Sequence, residues 1–219
     1  AGAVPTGRYG FETLLLIMTN SGVTGGRQQP ERARRERPPY LYVKRVLDLM
    51  LAVFLLVPSL MIIAACFLAI KLETAGPAFY VQVRPGLKGR LFRIYKLRTM
   101  IVQTHRDGIA LSDHERITKT GNIIRKLSLD ELPQIWNVIK GEMSLVGPRP
   151  ELPSLVEKYA PWQRKRFTVP QGVTGWWQVH GRGDKPMHLN TEDDIYYIRN
   201  YSFWLDIKIL FKTFGAVVH

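Results

Sequence analysis

Two adjacent acidic residues, Asp130 and Glu131, lie in a part of the sequence that is otherwise rich in basic residues. They belong to the run Ser128-Leu129-Asp130-Glu131-Leu132-Pro133. Ser128 and Glu131 have the spacing of a helix capping box. Alternatively, Asp130 caps a helix in which Pro133 falls within the first turn. In both arrangements the acids complement the positive end of the helix dipole.

The same placement suits phosphoryl chemistry. A helix N-terminus keeps Asp130 ionised and can also receive a phosphate group. An ionised aspartate can attack phosphorus and form an acyl phosphate. The neighbouring Glu131 can hold Mg²⁺, which would bridge diphosphate oxygens and offset developing charge. The local pattern by itself leaves capping and catalysis as alternatives.

Basic side chains and glycine-containing loops accompany the acidic pair. Arginine binds phosphate through two parallel hydrogen bonds, so arginines near such a pair favour phosphate recognition. The nearby basic residues are Lys119, Arg125, Lys126 and Arg149, the last within Gly147-Pro148-Arg149-Pro150. A second segment, Gly172 to Val179, combines flexible backbone with tryptophan surface, as a base or sugar site would need.

Several common site patterns do not occur in the sequence. It contains neither a G-x-x-x-x-G-K-[ST] loop nor a G-x-G-x-x-G motif. The five histidines lack metal-site spacing, and the single cysteine, Cys66, excludes a cysteine-based zinc site and an intramolecular disulfide. We predict that Cys66 packs in an apolar environment.

The net charge limits the kinds of partner. Lysine and arginine number 31 against 18 acidic residues, a formal charge of +13. This excess favours nucleic acid, anionic lipid or phosphorylated substrates. Residues 1–40 are predicted to form a basic, flexible tail. One hypothesis takes Met18 as the natural start, with leader or vector sequence before it.

An apolar run precedes the part of the chain that carries the acidic pair. Leu49 to Ile70 contains no charged side chain and is about as long as a bilayer-crossing helix. We therefore predict a membrane anchor over residues 41–72. Both flanks are basic, whereas a spanning helix usually has one basic flank. Pro58 kinks a helix, and Ser59 can satisfy a freed backbone group. A re-entrant helix and a spanning helix both remain open.

Residues 73–219 are predicted to form an α-rich α/β domain. Ala78–Val83 and Leu91–Leu97 have the composition of short strands joined by a turn. An apolar helix face is formed by Leu132, Ile135, Trp136 and Ile139. Gly141 is expected to end that helix. Ile195 to Val218 is typical either of interfacial amphipathic helices or of core packing.

The chain resembles the bacterial sugar transferases, monotopic phosphoglycosyl transferases that begin capsule, exopolysaccharide and glycoprotein glycan synthesis. The resemblance runs from about Tyr42 to about Val217. It rests on motifs in one order, namely Lys44-Arg45-Val46-Leu47-Asp48, Arg84-Pro85-Gly86, Tyr95-Lys96-Leu97-Arg98-Thr99-Met100, Arg125 to Gln134, Trp136-Asn137-Val138, Gly141 to Pro150, Gly172-Val173-Thr174-Gly175 and Asp194-Ile195-Tyr196-Tyr197.

The resemblance implies a two-step reaction. Asp130 would attack the sugar-proximal phosphate of a UDP-sugar and expel UMP, and undecaprenyl phosphate would then take the phosphosugar from the enzyme. Glu131 would carry Mg²⁺. Lys96, Arg125 and Arg149 match basic, substrate-binding positions of the family.

The resemblance also implies a re-entrant helix on the cytoplasmic face of the bacterial inner membrane. Membrane lipid is then a partner, nucleic acid is not expected, and a homodimer is among the allowed assemblies. In the family pattern, a serine followed by a proline interrupts the re-entrant helix about one helical turn nearer Lys71. In this chain, Pro58 precedes Ser59.

A rival class is a non-enzymatic, membrane-tethered protein that binds anionic lipid or nucleic acid. It explains the charge and the apolar run but leaves Asp130 and Glu131 unexplained. The sequence does not identify the sugar, although we predict that residues His180 to Asp193 help to select it.

Overall fold

A computed structural model describes residues 39–106, 109–180 and 191–218. Its longest element is helix α1, Pro39–Glu73, which has 35 residues. The segment contains no glycine and many unbranched side chains, which lose little freedom in a helix. It is the one described helix that is long and apolar enough to cross a membrane. The helix continues through Pro58, so the kink stays a prediction.

Both ends of α1 are attached to the rest of the described chain. Near the N-terminus, Arg45 donates hydrogen bonds to the carbonyl groups of Val138 and Ile139 at 2.6 and 3.0 Å. Near the C-terminus, the Glu73 carboxylate accepts hydrogen bonds from the backbone N–H groups of Lys119 and Thr120 at 2.8 and 2.9 Å. The two ends therefore contact one and the same domain.

Between its ends, α1 has one covered face and one bare face. Ala52 is buried in the larger of two apolar clusters, and Cys66 and Ile70 are buried in a second. Cys66 thus packs as predicted. The opposite face exposes large apolar side chains, among them Phe54, Val57, Met61, Leu68 and Leu72. Because both faces are apolar and only one is covered by protein, the bare face is suited to lipid.

The predicted strands form an antiparallel hairpin of β1, Phe79–Pro85, and β2, Leu91–Leu97. A buried amide attaches β2 to the helix that follows the acidic pair. The Asn137 side chain donates to the Arg93 carbonyl at 2.6 Å and accepts from the Tyr95 N–H at 3.4 Å. These bonds hold β2 beside the acidic pair, because they act on the residues just before Lys96.

The remaining described elements complete a mixed, mostly helical α/β domain, as predicted. They are a 3-10 helix Leu87–Gly89, β3 His105–Arg106, β4 Ile109–Ala110, α2 Asp113–Arg116, α3 Lys119–Lys126, a 3-10 helix Leu129–Gln134, α4 Ile135–Lys140, β5 Ser144–Val146, α5 Pro153–Val156, a 3-10 helix Gln163–Thr168, β6 Gly172–Thr174, α6 Trp176–His180, α7 Thr191–Arg199 and α8 Phe203–Val218. Gly141 follows α4 in the left-handed conformation, with φ 81°, and ends the helix as predicted.

The C-terminal segment combines the two predicted alternatives. On the core side, Asp206 of α8 is buried and accepts hydrogen bonds from Lys44 at 2.6 Å and Tyr197 at 2.7 Å. On the other side, Trp204 and Phe211 are more than three-quarters exposed, at 77 and 76%. One face of α8 is therefore core, and the other has the aromatic character of an interfacial helix. Contact with a membrane stays a prediction.

Candidate active site

The acidic pair lies in a tight helical turn rather than at a capped helix start. Ser128 takes the left-handed conformation, with φ 54° and no side-chain capping bond, and a 3-10 helix follows over Leu129–Gln134. Asp130 lies inside that turn. The capping-box alternative is wrong, because the Glu131 side chain makes its hydrogen bonds to distant residues instead of returning to Ser128.

Glu131 is held between two basic side chains. Its Oε1 accepts a hydrogen bond from Lys96 Nζ at 2.9 Å, and Arg149 binds both carboxylate oxygens, with Nη1 at 3.1 Å from Oε2 and Nη2 on Oε1. Burial alone would raise the pKa of Glu131, but the charges and hydrogen bonds of Arg149 and Lys96 outweigh it and lower the pKa to about 2. Glu131 is therefore ionised at neutral pH.

The Asp130 carboxyl has a different environment. It is half-buried and accepts no hydrogen bond from another described side chain. Burial raises its pKa, and the adjacent Glu131 charge raises it further, while Lys96 and Arg149 oppose both effects without cancelling them. A partly desolvated carboxylate with no side-chain donor, bonded only to its own backbone N–H, is a better nucleophile than one held by charged donors. The two environments thus differ: the Glu131 carboxylate is bound by basic side chains, whereas the Asp130 carboxyl is free of side-chain donors and can react.

Arg149 reaches Glu131 from a loop that is pinned to a neighbouring strand. The Gly147 N–H donates to the Thr174 carbonyl at 2.9 Å, and the Gly172 N–H donates to the Pro148 carbonyl at 2.8 Å. The backbones approach so closely that a Cβ on Gly172 would lie 2.1 Å from the Gly147 nitrogen. Glycine is required at this contact on steric grounds. The two glycine-containing segments that the sequence indicated therefore lie against each other in the fold.

Arg125 is placed next to the acidic pair along the chain but is not bonded to it. Its Nε donates to Thr99 Oγ1 at 2.7 Å. Thr99 also accepts at its carbonyl from the Thr118 N–H at 3.1 Å, so Arg125 belongs to the contact between α3 and the end of β2. Of the predicted basic residues, Lys96 and Arg149 bind Glu131 directly, whereas Arg125 forms no bond to either acid.

The described residues offer a partial fit to Mg²⁺. No group of three or more His, Cys, Asp or Glu side chains comes together as a metal site within the described parts of the chain. Protein-bound Mg²⁺ often uses one or two carboxylates and takes its other ligands from substrate phosphates and water. Both oxygens of Glu131 already accept hydrogen bonds, so Glu131 would have to exchange one of them, whereas the oxygens of Asp130 accept no hydrogen bond from another described side chain.

Other predicted site residues lie away from these contacts or outside the described part. Pro58 is exposed and Ser59 is 5% exposed, both midway along α1. The basic tail and most of the predicted sugar-selecting segment, residues 181–190, lie outside the described residues.

Two buried ion pairs were not predicted from the sequence. Lys44 pairs with Asp206 at 2.6 Å and joins α1 to α8, and Arg166 pairs with Asp194 at 2.7 Å. Charged residues inside apolar runs, such as Asp206, are the signal that could have indicated the first pair, because an unpaired buried charge is too costly. The second pair gave no comparable local signal.

The fold and site together define a mostly helical α/β domain with one long apolar helix and an acidic pair beside basic side chains. The chain belongs to the bacterial sugar transferase family, because the model of that family matches residues 39–219. The predicted membership is thereby confirmed.

Similar proteins from other bacteria support the same class. The uncharacterized sugar transferase EpsL of Bacillus subtilis (strain 168) is 45% identical over 178 residues, 81% of this chain and 88% of that protein. The UDP-N-acetylgalactosamine-undecaprenyl-phosphate N-acetylgalactosaminephosphotransferase of Aeromonas hydrophila is 40% identical over 83% of this chain and 45% of its own length. The UDP-glucose:undecaprenyl-phosphate glucose-1-phosphate transferase of Escherichia coli (strain K12) is 39% identical over 78% of this chain and 39% of its own length. The chain thus spans less than half of these two longer relatives.

Proposed function

We propose that this protein transfers a sugar-1-phosphate from a UDP-sugar to undecaprenyl phosphate and releases UMP, an initiating step of surface glycan synthesis. The observation that carries the proposal is the separation of the acidic pair into an ionised Glu131 bound by Lys96 and Arg149 and a neighbouring Asp130 without a hydrogen-bonding partner side chain. The names of the Aeromonas and Escherichia relatives support the substrates.

In the proposed first step, an Asp130 oxygen attacks the sugar-proximal phosphorus. A new O–P bond forms, the bond from that phosphorus to the bridging oxygen breaks, and the electron pair leaves with UMP. Arg149 and Lys96 already lie beside the pair, so their charges can stabilise the negative charge that builds up on the phosphate oxygens without rearrangement of the site.

In the second step, a phosphate oxygen of undecaprenyl phosphate attacks the same phosphorus. The acyl phosphate O–P bond breaks and Asp130 returns to a carboxylate, while undecaprenyl-diphospho-sugar leaves. The half-buried position of Asp130 limits the access of water to the intermediate, which would otherwise be hydrolysed.

Mg²⁺ is the proposed cofactor. Glu131 is the residue that would hold it together with diphosphate oxygens, after releasing one of its present hydrogen bonds. The bound ion would supply charge neutralisation at the diphosphate. Lys96 and Arg149 supply part of that neutralisation from the protein itself.

The attachment of both ends of α1 to one domain supports a protein that binds to one face of the membrane without crossing it. A straight helix of 35 residues is about 52 Å long, yet Arg45 near one end and Glu73 at the other bond to the same domain. A helix that crosses the bilayer would carry one of its ends away from that domain. We therefore favour the re-entrant over the spanning alternative, with the domain on the cytoplasmic face.

Thiol labelling in intact cells tests this topology. Cysteines placed at Tyr42 and at Leu72 in a Cys66→Ser background are both expected to resist a membrane-impermeant thiol reagent until the cells are opened. Labelling of one position from outside would establish a spanning helix, and labelling of both would reverse the orientation.

The reaction is tested by UMP release in the absence of acceptor. Enzyme mixed with Mg²⁺ and a panel of UDP-sugars should release up to one UMP per active site with its own sugar and then stop. Asp130→Asn should fold and extract from membranes like the wild type but release no UMP. Turnover that requires undecaprenyl phosphate from the outset, with no burst, would exclude the covalent step, and no UMP under any condition would exclude the reaction.

A further inference from the structure

Arg166 is an arginine with no access to solvent, placed on the 3-10 helix Gln163–Thr168. Its guanidinium donates from Nη1 to the Tyr159 hydroxyl at 2.7 Å and from Nη2 to the Arg149 carbonyl at 2.7 Å. Nη2 also lies 2.7 Å from an oxygen of Asp194, at the start of α7. A single buried group thus connects three separate segments of the chain.

Burying this charge carries a cost that packing alone does not explain. A buried ion pair often stabilises a fold no better than apolar side chains of the same volume would. The hydrogen bonds of Arg166 also do not fully offset the cost of removing its guanidinium from water, because Nε has no hydrogen-bond partner. Burial raises the pKa of Asp194 to about 6 despite the opposing charge of Arg166, which indicates that desolvation is substantial. What this costly group achieves is a fixed hydrogen bond to the backbone of Arg149.

The bond acts at the residue whose side chain holds Glu131. On the other side of the same loop, the Gly172 N–H fixes the Pro148 carbonyl. With its neighbouring carbonyl groups bonded on two sides, Arg149 has little backbone freedom left. Its side chain can then meet both oxygens of Glu131 without a search through alternative loop conformations.

We propose that Arg166 is a positioning residue that holds the Arg149 loop in the conformation in which Arg149 pairs with Glu131. The inference rests on the proposed function, since it assigns the pair to the reaction. Loss of Arg166 frees the loop and withdraws the Arg149 guanidinium from Glu131, which slows the chemical step at saturating UDP-sugar. A residue needed only for folding would lower the amplitude of the burst, which counts active molecules, and would leave its rate constant unchanged.

The test compares Arg166→Lys with Arg45→Lys. Both substitutions remove side-chain bonds to backbone carbonyl groups, but Arg45 contacts α4 and not the Arg149 loop. We expect Arg166→Lys to slow the acceptor-free UMP burst at least about tenfold, since small misplacements of catalytic groups have effects of this size. The slowing should appear in the rate constant of the burst at saturating UDP-sugar and not only in its amplitude. The burst rate constant of Arg45→Lys should stay within about twofold of the wild type.

Tyr159→Phe keeps the test decisive if Arg166→Lys does not fold. It removes one acceptor of Arg166 and leaves the bond to Arg149 in place, so the guanidinium is held less firmly and a smaller fall in the burst rate constant is expected. A folded Arg166→Lys protein with the burst rate constant of Arg45→Lys would overturn the inference, as would a Tyr159→Phe protein whose burst rate constant equals that of the wild type. A wild type that releases no UMP would instead refute the proposed function itself.

Discussion

The ion pairs of Glu131 make a quantitative prediction about stability and pH. Arg149 and Lys96 lower the pKa of Glu131 from 4.5 to about 2, and its side chain is only 14% exposed, so solvent screens these interactions weakly. At about 1.4 kcal/mol per pKa unit, the lowering corresponds to roughly 3 kcal/mol of folding free energy at neutral pH. Because the folded pKa lies below the unfolded one, this stabilisation is complete above pH 4.5 and is lost as the pH falls toward 2. By pH 3, about 2 kcal/mol of it should be gone.

Thermal unfolding of the detergent-solubilised wild type and of Glu131→Gln at pH 7 and pH 3 measures this loss. Carboxyl groups other than Glu131 and its coupled neighbour Asp130 titrate equally in both proteins, so the difference between their melting temperatures reports mainly on Glu131. That difference should shrink by about 4–8 °C between the two pH values. Asp113→Asn is the control, because Asp113 is 83% exposed in its pair with Arg116 and such surface pairs contribute little. An equal Glu131→Gln difference at both pH values would refute the assignment of Glu131 as a strongly stabilised carboxylate.

Two further substitutions test the geometry of the site. Glu131→Gln removes a negative charge that raises the pKa of Asp130, so the acid limb of the residual UMP burst should move to lower pH; a limb that stays or rises would contradict the coupling of the two acids. Gly172→Ala should destabilise the protein by about 1–3 kcal/mol or more, because its Cβ would lie 2.1 Å from the Gly147 nitrogen. Gly215→Ala, whose Cβ would meet nothing within 4 Å, is the matched control and should leave the melting temperature unchanged or slightly higher.

Much of the local structure followed from the sequence. The hairpin strands, the helix ended by Gly141 and the long apolar helix were predicted with bounds close to those observed. These features depend on interactions among residues a few positions apart: strand-forming composition, turn residues and the conformational freedom of glycine. The catalytic roles of Asp130 and Glu131 stay predictions.

The capping alternative failed because a local pattern competed with distant partners. Ser128 and Glu131 have capping-box spacing, but Lys96 and Arg149 offer Glu131 two charged donors in a half-buried site. Hydrogen bonds between charged groups are worth more than a bond from a carboxylate to a neutral N–H. The tertiary contacts therefore decide the orientation of the side chain.

The sequence by itself determined which residue types were available for phosphoryl chemistry, and it determined the elements on which most of them lie. Only the tertiary structure decided which of the basic residues meet the acidic pair: Lys96 and Arg149 do so from 35 and 18 positions away, whereas Arg125, which is nearer in sequence, bonds to Thr99 instead. Local periodicity reports the conformation of neighbouring residues, since it arises from short-range sterics. Pairings across the fold depend on how whole elements pack, and here that packing is set by backbone contacts close enough to require glycine.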